Sequence, residues 1–215
     1  RDWLTPWGSV VRYNYIHDMG GYGRHGTEWT YPEYCWGIYL DDNCNGLSVI
    51  GNIVVGAFRG GIHLHNAHDS LIENNILVDG LKQQMEFNGW KQGTGLHARS
   101  TPNWLKFWEE YRVLPAWRKY PGFMETNPGD LVPMSNNCFL RNIFTYSGST
   151  SALYTHRNLP VTRNEFDHNV VWHGGLPVTV GVQNAVRVEV DPASPELITN
   201  GGFENGNPDQ MPSNW

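Results

Sequence analysis

The feature that most constrains this chain is a unit written twice between Gly37 and Asp79. Gly37-Ile38-Tyr39-Leu40-Asp41 returns 24 residues later as Gly61-Ile62-His63-Leu64-His65, and Asn52-Ile53-Val54 returns 23 residues later as Asn75-Ile76-Leu77. A repeat of that length implies stacked units, each too small to bury its apolar face alone. The pieces are short, alternating or β-branched, and broken by Gly and Asn, so the unit is made of strands. A helical repeat would show a 3.6-residue period and few Gly or Asn, and neither holds.

The unit extends beyond this window. The Asn element recurs at Asn14, Asn142 and Asn169. Three residues before each Asn stands Val11, Val49, Ile72, Phe139 or Phe166, and two after it stands Ile16, Val54, Leu77, Phe144 or Val171. The Gly element reads again as Gly95-Leu96-His97-Ala98-Arg99 and, without its glycine, as Ala152-Leu153-Tyr154-Thr155-His156. The expected fold is all-β, a right-handed parallel β-helix with parallel strands stacked about 4.8 Å apart. The five Asn are expected at bends with left-handed backbone, their amides stacked into a ladder.

Spacing locates the loops. Asn52 to Gly61 is 9 residues, whereas Asn14 to Gly37 is 23, which implies an insertion near Met19–Tyr34. Asn75 to Gly95 implies a second, around LKQQMEFNGWK. The longest falls at 100–134 and carries a helix signal. Thr101 is its expected cap, Pro102 its first helical position, and Trp104, Phe107, Trp108 and Tyr111 share one face before Pro115 ends it. These inserts are expected to wall a groove floored by the Gly strands, where function concentrates. The division expected is a β-helix domain over 1–190, a Pro-rich linker over 191–196, and a further unit starting at 197–215.

Composition narrows the partners. Net charge is −6 with 17% charged residues, and no basic patch suggests nucleic acid. No apolar run is long enough for a membrane span. Ten Trp, ten Tyr and eight Phe suit a surface that stacks on flat neutral rings such as sugars. Cys138 fills the slot of Leu71 and is expected to pack as a small hydrophobe. An extended strand between Cys35 and Cys44 argues against a disulfide there. The chain starts at Arg1 in mid-pattern and is expected to be a piece of a longer protein.

Strand alternation gives the Gly strands two faces. Outward go two columns, Tyr39, His63, His97 and Tyr154 in one and Asp41, His65, Arg99 and His156 in the other. Four of the chain's nine His fall in these eight positions. Asp41 and Asp42 end a strand in a turn, and Asp18 ends an Asn strand. Paired carboxylates are what glycoside hydrolysis needs, one as acid and one as nucleophile or base. Asp41, Asp42 and Asp18 are therefore the candidate catalytic groups. Tyr39, His63, His65, His97, Arg99, His156 and Trp117 are the candidate substrate-binding residues. No metal-site spacing and no G-x-S-x-G is present, so no metal or other cofactor is expected.

The runs VRYNYIHDMGG, GIYLDDNCNGLSVIGNIV, GGIHLHNAHDSLIENNILVD and LPAWRKYPG, over roughly residues 1–175, resemble β-helix proteins of bacterial polysaccharide degradation, with a pectate-lyase-like solenoid. They are most similar to the glycoside hydrolase family that holds a xylanase and an α-L-fucosidase. LITNGGFENG resembles the opening strand of a β-sandwich carbohydrate-binding module. The resemblance implies a bacterial enzyme, secreted, periplasmic or at the cell surface, hydrolysing a plant or algal polysaccharide. Two alternatives stay open. One is a polysaccharide lyase on the same fold, with Arg99 or a His as base and Asp pairs holding Ca²⁺. The other is a non-catalytic carbohydrate-binding or adhesin β-helix.

Overall fold

The fold is described from a computed structural model, which covers residues 7–31, 33–119 and 134–182. The chain runs in five circuits of three strands. The first holds β1 (Val10–Arg12), β2 (Tyr15–His17), an antiparallel hairpin of β3 (Gly23–His25) and β4 (Glu28–Thr30), and β5 (Trp36–Leu40). The second holds β6 (Ser48–Ile50), β7 (Ile53–Val55) and β8 (Gly60–His65). The third holds β9 (Leu71–Glu73), β10 (Ile76–Val78) and β11 (Gln83–Asn88), followed by helix α1 (Gly95–Tyr111) and a 3₁₀ turn at Pro115–Lys119. The fourth holds β12 (Cys138–Leu140), β13 (Ile143–Thr145) and β14 (Ala152–Arg157). The fifth holds β15 (Glu165–Asp167), β16 (Val170–Trp172) and β17 (Val180–Val182).

Each circuit gives one strand to each of three parallel sheets: β1-β6-β9-β12-β15, β2-β7-β10-β13-β16 and β5-β8-β11-β14-β17. The molecule is thus mostly β, with parallel sheets stacked in register around a shared core. The expected apolar columns are observed. Val11, Val49, Ile72, Phe139 and Phe166 are register partners in the first sheet, and Ile16, Val54, Leu77, Phe144 and Val171 in the second.

The five Asn form the ladder. Asn52 Nδ2 and its backbone N–H both donate to Asn75 Oδ1 (3.0 Å each), and Asn75 repeats the pattern onto Asn142 (3.0 Å each). Asn14 and Asn169 extend it at either end. The left-handed backbone lies one residue earlier than expected, at Tyr13, Gly51, Asn74, Arg141 and His168. The turn at that residue aims the Asn N–H along the stack, so the Asn itself needs no left-handed φ. At Gly51 the Tyr13 ring closes the space, leaving 2.8 Å for a Cβ.

The insertions differ in part. His17 pairs with Val55 across 38 residues and Trp36 with Gly60 across 24, so 14 residues are inserted between β2 and β5, where the hairpin lies. The expected insertion at LKQQMEFNGWK does not exist, because Gln83–Asn88 is itself the strand β11. Asn88 pairs with His65 across 23 residues and Cys138 with Leu71 across 67, which places one 44-residue insertion after β11.

Gly95–Arg99, expected as a strand, is the first turns of α1. Leu96, Ala98 and Arg99 are good helix formers and no β-branched residue interrupts them. The helix starts after Thr94, not Thr101, and Pro102 lies inside it. The carbonyl of Ala98 thereby loses its helical donor. One turn back, Thr101 Oγ1 donates to the His97 carbonyl (2.8 Å). No disulfide joins Cys35, Cys44 and Cys138, and Cys138 does occupy the slot of Leu71. The linker at 191–196 and the unit at 197–215 lie outside the described residues.

Candidate active site

The three sheets present different outer faces. On the second sheet, Tyr15, Ile53, Ile76, Ile143 and Val170 form one outward column, and His17, Val55, Val78, Thr145 and Trp172 the other, in which His17 is the one ionisable side chain. The third sheet is different. Its outward column reads Tyr39, His63, Glu86 and Thr155, flanked by His65 and Asn88.

At the centre is Glu86, 1% exposed at its side chain. Its Oε2 accepts from Trp36 Nε1 (2.8 Å), Gln83 Nε2 (2.8 Å) and Arg59 Nε (3.1 Å), and its Oε1 from Arg59 Nη2 (3.1 Å). The Arg59 guanidinium also lies 4.3 Å over the Trp36 ring. A buried carboxylate is tolerable only when paired and hydrogen-bonded, and four donors meet that demand. The network fixes Trp36, which with Tyr39 encloses His63. Ring centroids lie 4.2 Å from Trp36 to His63 and 4.6 Å from Tyr39 to His63, the latter pair within 6° of parallel. Neither ring nitrogen of His63 has a partner among the described residues. Burial pushes its pKa down to about 3, so it is a neutral stacking ring.

The reactive groups lie at the carboxyl end of the strands. His65 Nδ1 is 3.1 Å from Asp41 Oδ1, 3.0 Å from Asp42 Oδ1 and 3.3 Å from the Tyr39 hydroxyl. Asp41 reaches it straight from the end of β5. Asp42 reaches it because its backbone is left-handed (φ 37°), as is that of Asn43 (φ 64°). The second circuit repeats only the latter, at Asn66 (φ 54°). A non-glycine residue in that region is strained, and the strain here turns a second carboxylate onto the same nitrogen. Burial, then a hydrogen bond and the charge of Asp41, raise the Tyr39 pKa, so its hydroxyl stays protonated.

The insertion supplies a wall. Trp90 meets His65 edge-on (5.7 Å, 78°) and stacks on Trp104 of α1 (5.3 Å, 15°). Asn66 Oδ1 accepts from the Trp90 N–H (2.8 Å), tying the insert to the turn after β8. Thus α1 stands on the same side as Tyr39 and His63, as expected of the insert. Its continuation over 120–133 lies outside the described residues.

The structure brings together Asp41, Asp42, Tyr39, His63 and His65 of the expected set. Others fall elsewhere. Asp18 ends β2 in a different sheet, 88% exposed, and pairs with His17 (2.6 Å). His97 is in α1, where its Nδ1 accepts from the Gly93 N–H (2.9 Å), and burial lowers its pKa. Arg99 is exposed on the same helix. Trp117 is half-buried and stacks on Tyr111 (5.9 Å), a packing role. Tyr154 and His156 point inward. They pair with Met85 and Phe87, in line with Ile62 and Leu64, because the register is one residue off the expected one, and a one-residue slip exchanges the faces. Tyr154 meets Phe87 edge-on (5.5 Å) in the core, and burial lowers the pKa of His156.

Glu86, Gln83, Arg59 and Trp90 were not foreseen. The signal available for Glu86 was the alternation of Met85 and Phe87 with Glu86 and Asn88. Asp41, Asp42 and His65 also form the one group of three among the described residues with potential metal-ligand atoms mutually within 4.8 Å. Comparison of the chain with protein-family models, with curated proteins and with solved structures gives no match.

Proposed function

We propose that this chain is a right-handed parallel β-helix enzyme that hydrolyses glycosidic bonds of a plant or algal polysaccharide outside the bacterial cell. The reading is that of the glycoside hydrolases its motifs resemble. One observation carries it: two carboxylates, Asp41 and Asp42, converge on one histidine on a sheet face where the half-buried Tyr39 ring lies beside them. Aromatic faces stack on sugar rings, and a carboxylate beside them stabilises the cationic transition state of glycoside cleavage. Asp41, 44% exposed at its side chain, is the one placed to act as nucleophile or base, while Asp42 at 16% is held back.

The test is Asp41→Asn, purified beside wild type and matched for melting, assayed on xylans, pectins and fucosylated glycans. The expected result is a turnover lower by about 10³ or more with oligosaccharide binding nearly intact, since the charge acts on the transition state. The wild type should release reducing ends without near-ultraviolet absorbance. An unsaturated, absorbing product would replace hydrolysis by elimination, and wild-type turnover in the variant would remove Asp41 from the mechanism.

A further inference from the structure

Glycoside hydrolysis needs a proton donor as well as a carboxylate. Asp42 is a poor candidate because it is the less exposed of the two carboxylates and its Oδ1 already lies 3.0 Å from His65 Nδ1. Asp18 lies in another sheet. The donor has to be sought among the side chains that touch Asp41.

We propose that His65 is the proton donor of this site, oriented by Asp41 and Asp42; the assignment rests on the hydrolytic reading above. A carboxylate oxygen only accepts, so two carboxylate oxygens at 3.0 and 3.1 Å require the proton on Nδ1. The Tyr39 hydroxyl, which hydrogen-bonds Asp41, is then a neighbour of that proton rather than its acceptor. Nδ1 is fully committed and exchange with substrate falls to Nε2. That atom has no partner among the described residues, yet it is not one of the fully enclosed polar atoms, and the side chain is 15% exposed. Trp90 at the ring edge and His63 alongside (5.8 Å, 25°) hold the imidazole in place. A carboxylate on one ring nitrogen that fixes the tautomer and aims the other is the recurring arrangement for a histidine that moves protons.

No other histidine of this region has the same disposition. Both nitrogens of His63 are enclosed. His97 uses Nδ1 to accept from Gly93 and has a buried Nε2. His156 faces the core. In the step, the imidazolium, protonated on both nitrogens, passes its Nε2 proton to the glycosidic oxygen as the bond from that oxygen to the anomeric carbon breaks, and His65 is left neutral with its proton on Nδ1. Water then bonds through its oxygen to the anomeric carbon, and the proton it loses returns to Nε2. The net change is addition of one water across the glycosidic bond.

Two measurements test this. Nitrogen-15 NMR of the wild-type histidines should show His65 protonated at Nδ1 when neutral; the opposite tautomer overturns the proposal whatever the activity. His65→Gln, with His65→Asn as a second variant should the first fold poorly, should lower turnover on the polysaccharide by about 10²–10⁴. On dinitrophenyl xyloside or fucoside, whose leaving group needs no proton, the loss should stay below about tenfold. Equal losses on both substrates would make His65 structural and overturn the assignment alone. A wild type that cleaves neither substrate would overturn the hydrolytic reading and, with it, the donor.

Discussion

Replacing Asn75 by Ala is a quantitative test of what holds the stack together. Asn75 is fully buried, and its side chain makes four hydrogen bonds. Its Oδ1 accepts from the backbone N–H and Nδ2 of Asn52 (3.0 Å each), and its Nδ2 donates to Val49 O (2.9 Å) and Asn142 Oδ1 (3.0 Å). Some partners keep a second contact: Asn142 Oδ1 still receives the residue-75 N–H, and Asn52 Nδ2 still donates to Val11 O. The Asn52 backbone N–H loses its ladder acceptor in a fully buried site. A stranded buried group costs about 1–3 kcal/mol and the other lost bonds about 1 kcal/mol each. The expected loss is therefore about 4–6 kcal/mol, a large share of the stability of an ordinary domain. Asn14→Ala is the control. Asn14 is exposed at the end of the ladder, and its Nδ2 only donates, to Asn52 Oδ1 and Arg12 O. Asn52 Oδ1 keeps the residue-14 N–H, so the loss should be about 0.5–1.5 kcal/mol. Urea unfolding with a common m-value reads both. Equal and small shifts in midpoint would refute the claim that the ladder's worth lies in buried donors.

Two further predictions concern the candidate site. His63 is neutral in the folded state, with a pKa near 3 against about 6.5 when unfolded, so below pH 6.5 the unfolded chain gains a proton that the folded chain does not. Its contribution to stability should fall by about 1.4 kcal/mol per pH unit between pH 6.5 and 3, and His63→Phe, which keeps the stacked ring, should remove that slope from the acid-unfolding curve. Arg59→Met leaves the Glu86 carboxylate buried with two donors in place of four, and should cost about 3–5 kcal/mol, while Arg59→Met with Glu86→Gln should recover most of it; a double variant no more stable than the single one would show that charge is not what the network balances.

What the sequence determined by itself is the repeating part of the molecule. The Asn ladder and two apolar columns are legible because each circuit offers the same residue type at the same offset, and Ile72 or Asn75 meets its own counterpart in the next circuit. Asp41 and His65 were legible for the same reason, being 24 residues apart in the repeat. The third circuit was not. Gln83–Asn88 has no glycine and modest strand propensity, and Gly95–Arg99 imitates the Gly element while containing helix formers. Register with β8 and β14 decides between them, and local sequence does not encode it. The facing of Tyr154 and His156 was settled likewise, by the room that Phe87 and Phe166 leave for a ring in the core. The site itself is a tertiary product. Glu86 meets Arg59 and Trp36 only when three circuits stack, and Asp42 joins Asp41 on His65 only because the backbone turns left-handed there, a conformation that Asp permits but does not dictate.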